Sequence, residues 1–410
     1  MSYHYSYRNK TAGVISYSCG ILFLAFSFCY LYFLQGEILA QAQFVFSKGI
    51  TEYSVLVGAI IIPLVLQFVQ WLVSLLSRLP AKYYALTFIP SALMLAMLTD
   101  VDETTMHNFT FGAWTWIAPS IIFLYIIAVV IINRFTDSDS YYNLDNKSVA
   151  YPNFIILLAI IIAVGSVPTT TDIYHFELKA ERLILENDYE GAARVGKKSL
   201  RTSERLTQLR MYALSRQGIL PDCLFEYPQH YGSAGLLDVA DTLDNRRVSA
   251  KEICLHLGAF CGTSIKSTDR YMELMMSDTL WNKHTADYYL CGMLLDKKLD
   301  QFYENLPKYY NLSDTIIGAY DSLPRYYREA LMQIADKDKA LFGKIFINGD
   351  SITTLSDTVM VAKYKDYSEM KIGIVNKVER INKTHRQHGD TFWWYYDFSN
   401  DAIGELANDK

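Results

Sequence analysis

The stretch "VLVGAIIIPLVLQFVQWLVSLL" (residues 55–76) contains no charged residue. As a helix it would be about 33 Å long, and the hydrocarbon core of a bilayer is about 30 Å thick. An apolar run of this length and composition predicts a transmembrane helix. This stretch alone makes a membrane protein the leading interpretation of the chain.

Four further apolar runs follow the same pattern. The first of them is longer than the core of a signal peptide, which holds about 7–15 residues, so we interpret it as a span. A membrane domain is therefore predicted over residues 1–168. Its five predicted spans lie near residues 12–34, 55–76, 83–98, 113–133 and 149–167.

Lysines and arginines flank the predicted spans unevenly. Lys48 is the one basic residue in the segments on one side, whereas six lie on the other side: Arg8, Lys10, Arg78, Lys82, Arg134 and Lys147. Because loops rich in Lys and Arg stay in the cytoplasm, we expect the N-terminus inside. Five spans then put residues 169–410 outside, which means the periplasm if the protein lies in the inner membrane of a bacterium.

The composition excludes some classes of partner. Hydrophobic residues make up 51 % of the chain, the mean hydropathy is +0.08, the net charge is −5 and the isoelectric point is about 5.9. Nucleic-acid-binding proteins usually carry a basic face, so no nucleic-acid partner is expected. The expected partners are the lipid bilayer and a protein of the cell envelope, and the oligomeric state stays open.

Residues 169–410 have the periodicity of helices, with a period near 3.6. In "DIYHFELKAERLILENDYEGAARVGKKSL" two predicted helices meet at a turn at Asn187-Asp188, and further turns are predicted at Gln217-Gly218 and Asp296-Lys297. Because one helical hairpin cannot bury its apolar face alone, several must stack. The predicted fold class is all-α, with a polytopic helix bundle followed by a tetratricopeptide-like α-hairpin repeat domain.

The order of these features resembles a known family. Five spans precede a Tyr-rich helical domain with "LPKYY", "LPRYYREAL" and a terminal "TFWWYY". This order resembles a family of uncharacterised Bacteroidota membrane proteins with tetratricopeptide-like C-terminal domains. The resemblance implies the architecture and an inner-membrane setting, but no activity, substrate or site residue.

Four cysteines lie in the half of the chain that is expected outside, where disulfides can form. In a continuous helix Cys254 and Cys261 would be about 10 Å apart along the axis, which is too far for a mutual bond. A bridge would then have to join different hairpins. Buried free thiols are equally compatible with the apolar contexts of Cys254 and Cys291.

No metal or cofactor site is predicted. His385 and His388 are three residues apart in "THRQHGD", but zinc sites usually need three or four ligands. We interpret this stretch as a solvated polar linker. The aromatic run at residues 392–396 follows "EMKIGIVNKVERINKTHR" (residues 369–386), which is predicted to be the last long helix.

Asp100 and Asp102 are the candidate catalytic residues. They follow the third predicted span in "LTDVDE", and two carboxylates at this position could hold a divalent cation or act as a base. The loop resembles the acidic loop of polytopic glycosyltransferases that use lipid-linked sugars. We favour the simpler interpretation, in which these acids mark a loop outside the cytoplasm, because short acidic motifs have many false positives.

Two regions hold the candidate partner-binding residues. The loop "LFEYPQHYGSAGLLD" (residues 224–238) contributes Tyr227, His230 and Tyr231, and the aromatic run at residues 392–396 contributes Trp394 and Tyr395. Loops in helical arrays often line the binding face. The aromatic run is expected to cap the helical domain, since terminal units of such arrays need a cap.

The leading functional hypothesis is a membrane-anchored helical-repeat scaffold for protein–protein interaction in the bacterial envelope, without enzymatic activity. The alternative is an envelope enzyme that acts on a lipid-linked sugar through Asp100 and Asp102. Substitution of both aspartates by asparagine would separate the two hypotheses.

Overall fold

The computed structural model describes residues 2–100, 112–135, 146–166, 172–199, 201–237, 246–258, 268–277, 282–310, 323–337 and 358–399. All regular secondary structure in these ranges is helical, which confirms the prediction of an all-α protein. The chain divides into two compact units, Met1–Leu178 and Lys179–Lys410. Each unit is described by itself below.

The first unit consists of apolar helices. A π-helical turn, Tyr30–Leu34, follows α1, and a 3₁₀ segment, Ala81–Phe88, precedes α4. The helices are α1 (Ser2–Cys29), α2 (Gly36–Ser47), α3 (Val55–Ser77), α4 (Ile89–Thr99), α5 (Trp114–Phe135) and α6 (Asn146–Ser166). The next helix, α7 (Asp172–Leu185), crosses the division between the units.

Five helical segments within the described ranges are long and apolar enough to cross a membrane. They are Gly13–Leu34, Val55–Ser77, Ala81–Thr99, Trp114–Phe135 and Lys147–Ser166. They confirm the five predicted apolar spans and indicate a membrane protein. The third is not a continuous α-helix, because Tyr83 has non-helical backbone angles and Pro90 lies in the first turn of α4, where its missing N–H leaves no helical bond unmade.

Buried amide side chains connect the helices of the first unit. Gln70, which is 1 % exposed, donates from Nε2 to Tyr84 Oη at 2.9 Å and to Thr87 Oγ1 at 2.8 Å. Asn153 of α6 accepts from the N–H of Ala85 at 2.7 Å and donates to the carbonyl of Ala81 at 2.8 Å. Such bonds between membrane helices typically contribute about 1 kcal/mol, and these two amides fix the 3₁₀ segment against α3 and α6.

The second unit consists of shorter helices. Two 3₁₀ turns, Leu224–Glu226 and Gly232–Gly235, lie in the loop that the sequence singles out. The helices are α8 (Tyr189–Arg194), α9 (Glu204–Gln217), α10 (Leu220–Cys223), α11 (Ala250–His256), α12 (Thr268–Ser277), α13 (Lys283–Leu295), α14 (Leu299–Tyr309), α15 (Arg325–Lys337), α16 (Thr358–Gly373), α17 (Lys377–His388) and α18 (392–399).

Three helix ends in the second unit share one turn geometry. Asn187, Gly218 and Lys297 all have positive φ, at 61°, 74° and 59°. At each of these ends, the N–H of the residue with positive φ donates to the carbonyl of the residue three positions earlier. The N–H of the following residue donates to the carbonyl five positions before it, as in a Schellman motif. The three predicted turns are therefore confirmed, although a regular repeat does not follow from the turns alone.

The structure corrects one predicted helix. Residues 369–386 were expected to form a single helix, but α16 ends at Gly373 and α17 begins at Lys377. The Oδ1 atom of Asn376 accepts the N–H of Glu379 at 3.2 Å, and such an N-cap starts a new helix. The stretch "FINGDSITTL" (residues 346–355), which the turn-forming pair Asn348-Gly349 predicts to be a loop, lies outside the described residues.

Candidate partner-binding cleft

The helical hairpin formed by α13 and α14 is defined at both ends by local bonds. Asn282 and Thr285 form a capping box at the start of α13. The hydroxyl of Thr285 also donates to the carbonyl of Leu257 at 2.6 Å, which ties α13 to the end of α11. In α14, Leu299, Phe302 and Leu306 are buried at a helical spacing, so this helix packs one apolar face inward.

A small cleft of about 20 Å³ lies beside this hairpin. The Gly232–Gly235 turn, α12, α13 and α14 form its walls. Apolar and polar side chains both line it: Ser233, Leu236, Thr268, Met272, Glu273, Tyr289, Gly292, Met293, Lys298 and Gln301. The cleft is too small to enclose a ligand, but the same mixture of apolar and polar side chains is found on surfaces that contact other proteins.

Asp296, at the turn between α13 and α14, fixes two walls of the cleft. Its Oδ1 accepts the N–H of Ser233 at 2.9 Å, and its Oδ2 is 3.1 Å from Lys298 Nζ. Thr268 of α12 donates from its hydroxyl to the carbonyl of Leu237 at 2.7 Å. The loop that contains Ser233 and Leu237 is thus bonded both to α12 and to the turn between α13 and α14.

The lining gives the cleft a mixed chemistry. Met272 and Met293 are 3 % and 6 % exposed, and their flexible thioethers form an apolar floor that adapts to different side chains. Glu273 and Gln301 lie exposed at the rim, and the side chain of Lys298 is 37 % exposed. An apolar floor with charges of both signs at the rim suits a protein segment better than a single small ion.

The cleft residues did not stand out in the sequence. Tyr289 and Met293 are one helical turn apart, as are Lys298 and Gln301, but this spacing also occurs on ordinary helix faces. The only available signal was the predicted turn at Asp296, from which the two helices that bear these residues begin or end.

The loop residues predicted to bind a partner have different environments. Tyr231 is 37 % exposed and precedes the cleft turn, and His230 is half-buried. Tyr227 is 6 % exposed, and its ring lies 5.3 Å from Lys197 Nζ and 5.5 Å from the guanidinium of Arg210. In this structure Tyr231 is near the cleft, while Tyr227 is part of the interior.

The aromatic run at residues 392–396 is mostly interior. Phe392 and Trp393 are fully buried, and Tyr395 is 8 % exposed. Tyr395 donates from its hydroxyl to the carbonyl of Leu295 at 2.7 Å, and its ring centroid is 4.7 Å from that of Phe225. The run therefore packs between elements that are far apart in sequence.

Trp394 differs from its neighbours in this run. It is half-buried, and its ring centroid lies 4.5 Å from that of His385. Partner contact at Trp394 and Tyr395 stays a prediction, and Trp394 is the more accessible of the two.

Glu329 of α15 is the buried charge beside the aromatic run. It is 1 % exposed, and its Oε1 accepts from Arg325 Nε at 2.9 Å. Burial raises the pKa of Glu329 from 4.5 to about 7, against the opposing effects of Arg325 and of the N–H of Phe392. A perturbed pKa can mark a catalytic group, but all of these contacts hold structural elements together.

A serine–histidine pair also occurs in the second unit. Ser215 Oγ lies 3.1 Å from His256 Nε2. Burial, together with the nearby His284 and Arg216, lowers the pKa of His256 from 6.5 to about 4. Ser215 is only 1 % exposed, so a substrate cannot reach its hydroxyl in this conformation, and a hydrolase site is not supported.

The structure describes only one of the two candidate catalytic aspartates. Asp102 lies outside the described residues. Asp100 accepts on Oδ2 from the indole N–H of Trp114 at 2.8 Å, and the preceding Thr99 has its Oγ1 atom 3.2 Å from Tyr30 Oη. The bond of Asp100 connects the end of α4 to the start of α5, which is a structural role for Asp100, and the bond of Thr99 connects α4 to the π-helical turn after α1.

The histidines near the C-terminus are not a solvated linker, contrary to the sequence-based interpretation. Both lie in α17, and His388 is 3 % exposed with its Nε2 atom 3.0 Å from Asp366 Oδ2. Among the described residues, no group of three or more His, Cys, Asp and Glu side chains is arranged to hold a metal ion.

Cys254 is disulfide-bonded. The other cysteines within the described ranges are Cys19, Cys29, Cys223 and Cys291, and all four are free. The helix that carries Cys254 ends at His256, so the continuous helix on which the argument against a Cys254–Cys261 bond depends does not exist.

A family model described as "Family of unknown function (DUF6057)" matches residues 104–264 and 260–399. The two matches together cover more than half of the chain. Comparison with curated proteins gives no match, and comparison with solved structures gives none either.

Proposed function

The chain belongs to the DUF6057 family of unknown function, and on that premise we propose that it is a membrane-anchored scaffold for protein–protein interaction. The spans hold the protein in a bilayer, and the helical unit binds a segment of another protein. The cleft between the Gly232–Gly235 turn, α12, α13 and α14 is the observation that carries this proposal.

The bound group is a peptide segment with an apolar side chain and a basic neighbour. The apolar side chain would pack over Met272 and Met293, whose flexible side chains can shift to make room for it, and the basic neighbour would meet the exposed carboxylate of Glu273 at the rim. Binding of a buried apolar anchor inside a polar rim is the usual arrangement of protein interfaces.

A tetratricopeptide-like arrangement of the helical unit belongs to the same proposal. The Schellman turns at Asn187, Gly218 and Lys297 support it, because each ends one helix and directs the chain to the next. Stacked hairpins of this kind form concave surfaces that bind partners.

The proposed location is the inner membrane of a bacterium, such as one of the Bacteroidota, with the N-terminus in the cytoplasm and the helical unit in the periplasm. The distribution of basic residues around the spans supports this orientation. The disulfide at Cys254 also supports it, because disulfides persist in the periplasm and are rare in the cytosol.

A charge reversal at the rim tests the proposed function. Glu273→Lys changes the cleft, and Glu304→Lys makes the same change at an exposed position of α14 outside it. Each tagged full-length variant is purified gently from native membranes, and co-purifying proteins are quantified by mass spectrometry.

We expect a protein recovered with the wild type and with Glu304→Lys to be lost or strongly reduced with Glu273→Lys. Equal recovery of every protein by both variants would overturn the cleft as the binding site. Recovery of a polyprenyl-linked sugar without any protein would instead favour the enzyme hypothesis.

A further inference from the structure

The turn between α16 and α17 exposes a group of apolar side chains. Ile372, Val375 and Val378 are 79 %, 93 % and 53 % exposed. We call these three residues the α16–α17 tip. Single exposed apolar residues are common on soluble proteins, but three within seven positions concentrate exposed apolar surface at one turn, and concentrations of this kind mark sites of interaction.

Side-chain bonds hold both helices of this hairpin, and on α16 they reach the residue before the tip. Asp397 accepts from Tyr367 Oη and from Lys371 Nζ, each at 2.6 Å. At the far end of α17, His388 is paired with Asp366 of α16. The exposed tip therefore belongs to a hairpin that is bonded on both of its helices.

The charge around the tip is opposite to that of the whole chain. Residues 363–386, which comprise most of α16 and α17, hold seven Lys and Arg residues and three Asp and Glu residues, although the net charge of the protein is −5. Lys371 and Lys377 flank the tip directly. Apolar side chains beside lysines are typical of segments that lie in the interface of an anionic bilayer.

The chain itself brings a bilayer within reach. Five of its helices are long and apolar enough to cross a membrane, and only residues 167–171 separate the end of α6 from the start of α7. A bilayer that holds these helices is therefore a surface of the right chemistry for an apolar tip flanked by lysines.

We propose that the α16–α17 tip inserts into the headgroup region of this bilayer as a second membrane contact, in addition to the spans. Ile372, Val375 and Val378 enter the boundary between headgroups and acyl chains, and Lys377 lies at the level of the lipid phosphates, whereas Lys371 keeps its bond to Asp397. The contact is separate from the cleft and does not depend on the proposed scaffold function.

A photoreactive amino acid at position 375 tests the contact in the full-length protein in native membranes. After irradiation, adducts are identified by mass spectrometry. The control carries the same amino acid at Gln387, an exposed position of α17. We expect lipid adducts at position 375 and few or none at position 387. Equal lipid adducts at both positions, or adducts at 375 only to a protein or to a second copy of this chain, would overturn the proposal.

A substitution tests whether the lipid adducts require insertion of the tip or only its closeness to the bilayer. Ile372→Asp places a charge in the tip, and Val359→Asp places one at an exposed position (76 %) near the other end of α16. Both residues are exposed, so neither substitution is expected to disturb folding. Lipid adducts at position 375 should fall several-fold with Ile372→Asp and stay unchanged with Val359→Asp. An unchanged yield with both would contradict insertion.

The role of the lysines is tested in nanodiscs. Hydrogen exchange of residues 370–378 is compared between phosphatidylcholine alone and phosphatidylcholine with phosphatidylglycerol. We expect slower exchange with the anionic lipid, because lysines near an anionic surface bind it. Identical exchange in both lipids would contradict an electrostatic contribution.

Discussion

The main-chain N–H of Phe392 donates to Glu329 Oε2 at 2.7 Å. The indole N–H of Trp393 donates to the carbonyl of the same glutamate at 2.8 Å. One residue of α15 thus holds the first turn of α18 through both its side chain and its backbone. Because the first N–H groups of a helix have no partner within it, the carboxylate of Glu329 satisfies a donor that would otherwise be buried and unbonded.

The buried carboxyl of Glu329 predicts a dependence of stability on pH. Its pKa is about 7 in the folded protein, against an ordinary value of 4.5. Since the folded state holds this proton more tightly, the group stabilises the fold fully below about pH 4.5. That stabilisation is lost as the pH rises through about 7, and it amounts to about 3 kcal/mol.

Glu329→Gln removes this titration while keeping an acceptor for the N–H of Phe392. We expect the melting temperature of the wild type to fall relative to that of the variant between about pH 4.5 and 7. Thermal unfolding of both full-length proteins in the same detergent measures this. Parallel curves across that range would contradict a raised pKa at Glu329.

Trp393 and Trp394 of the aromatic run allow a direct comparison of a fully buried side chain with a half-buried one. Trp393 is fully buried, and truncation of a buried tryptophan to alanine costs about 3–5 kcal/mol. Trp394 is half-buried, so Trp394→Ala should cost clearly less. Thermal unfolding compares Trp393→Ala with Trp394→Ala, and an equal loss of stability would mean that the two side chains do not differ in packing.

The disulfide of Cys254 can be detected by alkylation. In protein that is trapped with an alkylating reagent during lysis and denatured without reductant, Cys223 and Cys291 should be modified, since both are free. Cys254 should be modified only after reduction. Peptide mass spectrometry measures the modified fraction of each. Complete modification of Cys254 without reductant would argue against the bond and against a periplasmic helical unit.

Asp100 distinguishes the scaffold from the enzyme. Asp100→Asn keeps an oxygen that can accept from Trp114 Nε1, so the contact between the ends of α4 and α5 should survive. We expect Asp100→Asn to recover the same co-purifying proteins as the wild type. An enzyme that uses Asp100 as a base would lose its activity with this variant, which would appear as accumulation of its lipid-linked substrate.

Those parts of the structure that depend on local sequence could be predicted. The five apolar spans follow from length and absence of charge, and the turns at Asn187, Gly218 and Lys297 follow from turn-forming residues after apolar helices. The break between α16 and α17 was missed, although Asn376 is a favourable N-cap residue. The helical periodicity continues on both sides of this short break, so the pattern of apolar residues does not indicate it.

Contacts between distant parts of the chain could not be predicted. Tyr395 packs on Phe225 and bonds to the carbonyl of Leu295, and no periodicity links residues so far apart. For the same reason the cleft was missed, because it forms only when the Gly232–Gly235 turn meets α12, α13 and α14. The sequence indicated the loop and the hairpin separately but not that they meet.

Site-specific cross-linking tests the central claim, that the cleft binds another protein, most directly. A photoreactive amino acid is placed at Gln301, on the rim of the cleft, or at Glu304, an exposed position of the same helix outside it. Full-length protein is irradiated in native membranes. The account predicts a discrete adduct with one partner protein from position 301 and not from position 304. No protein adduct at position 301, or the same adducts at both positions, would contradict it.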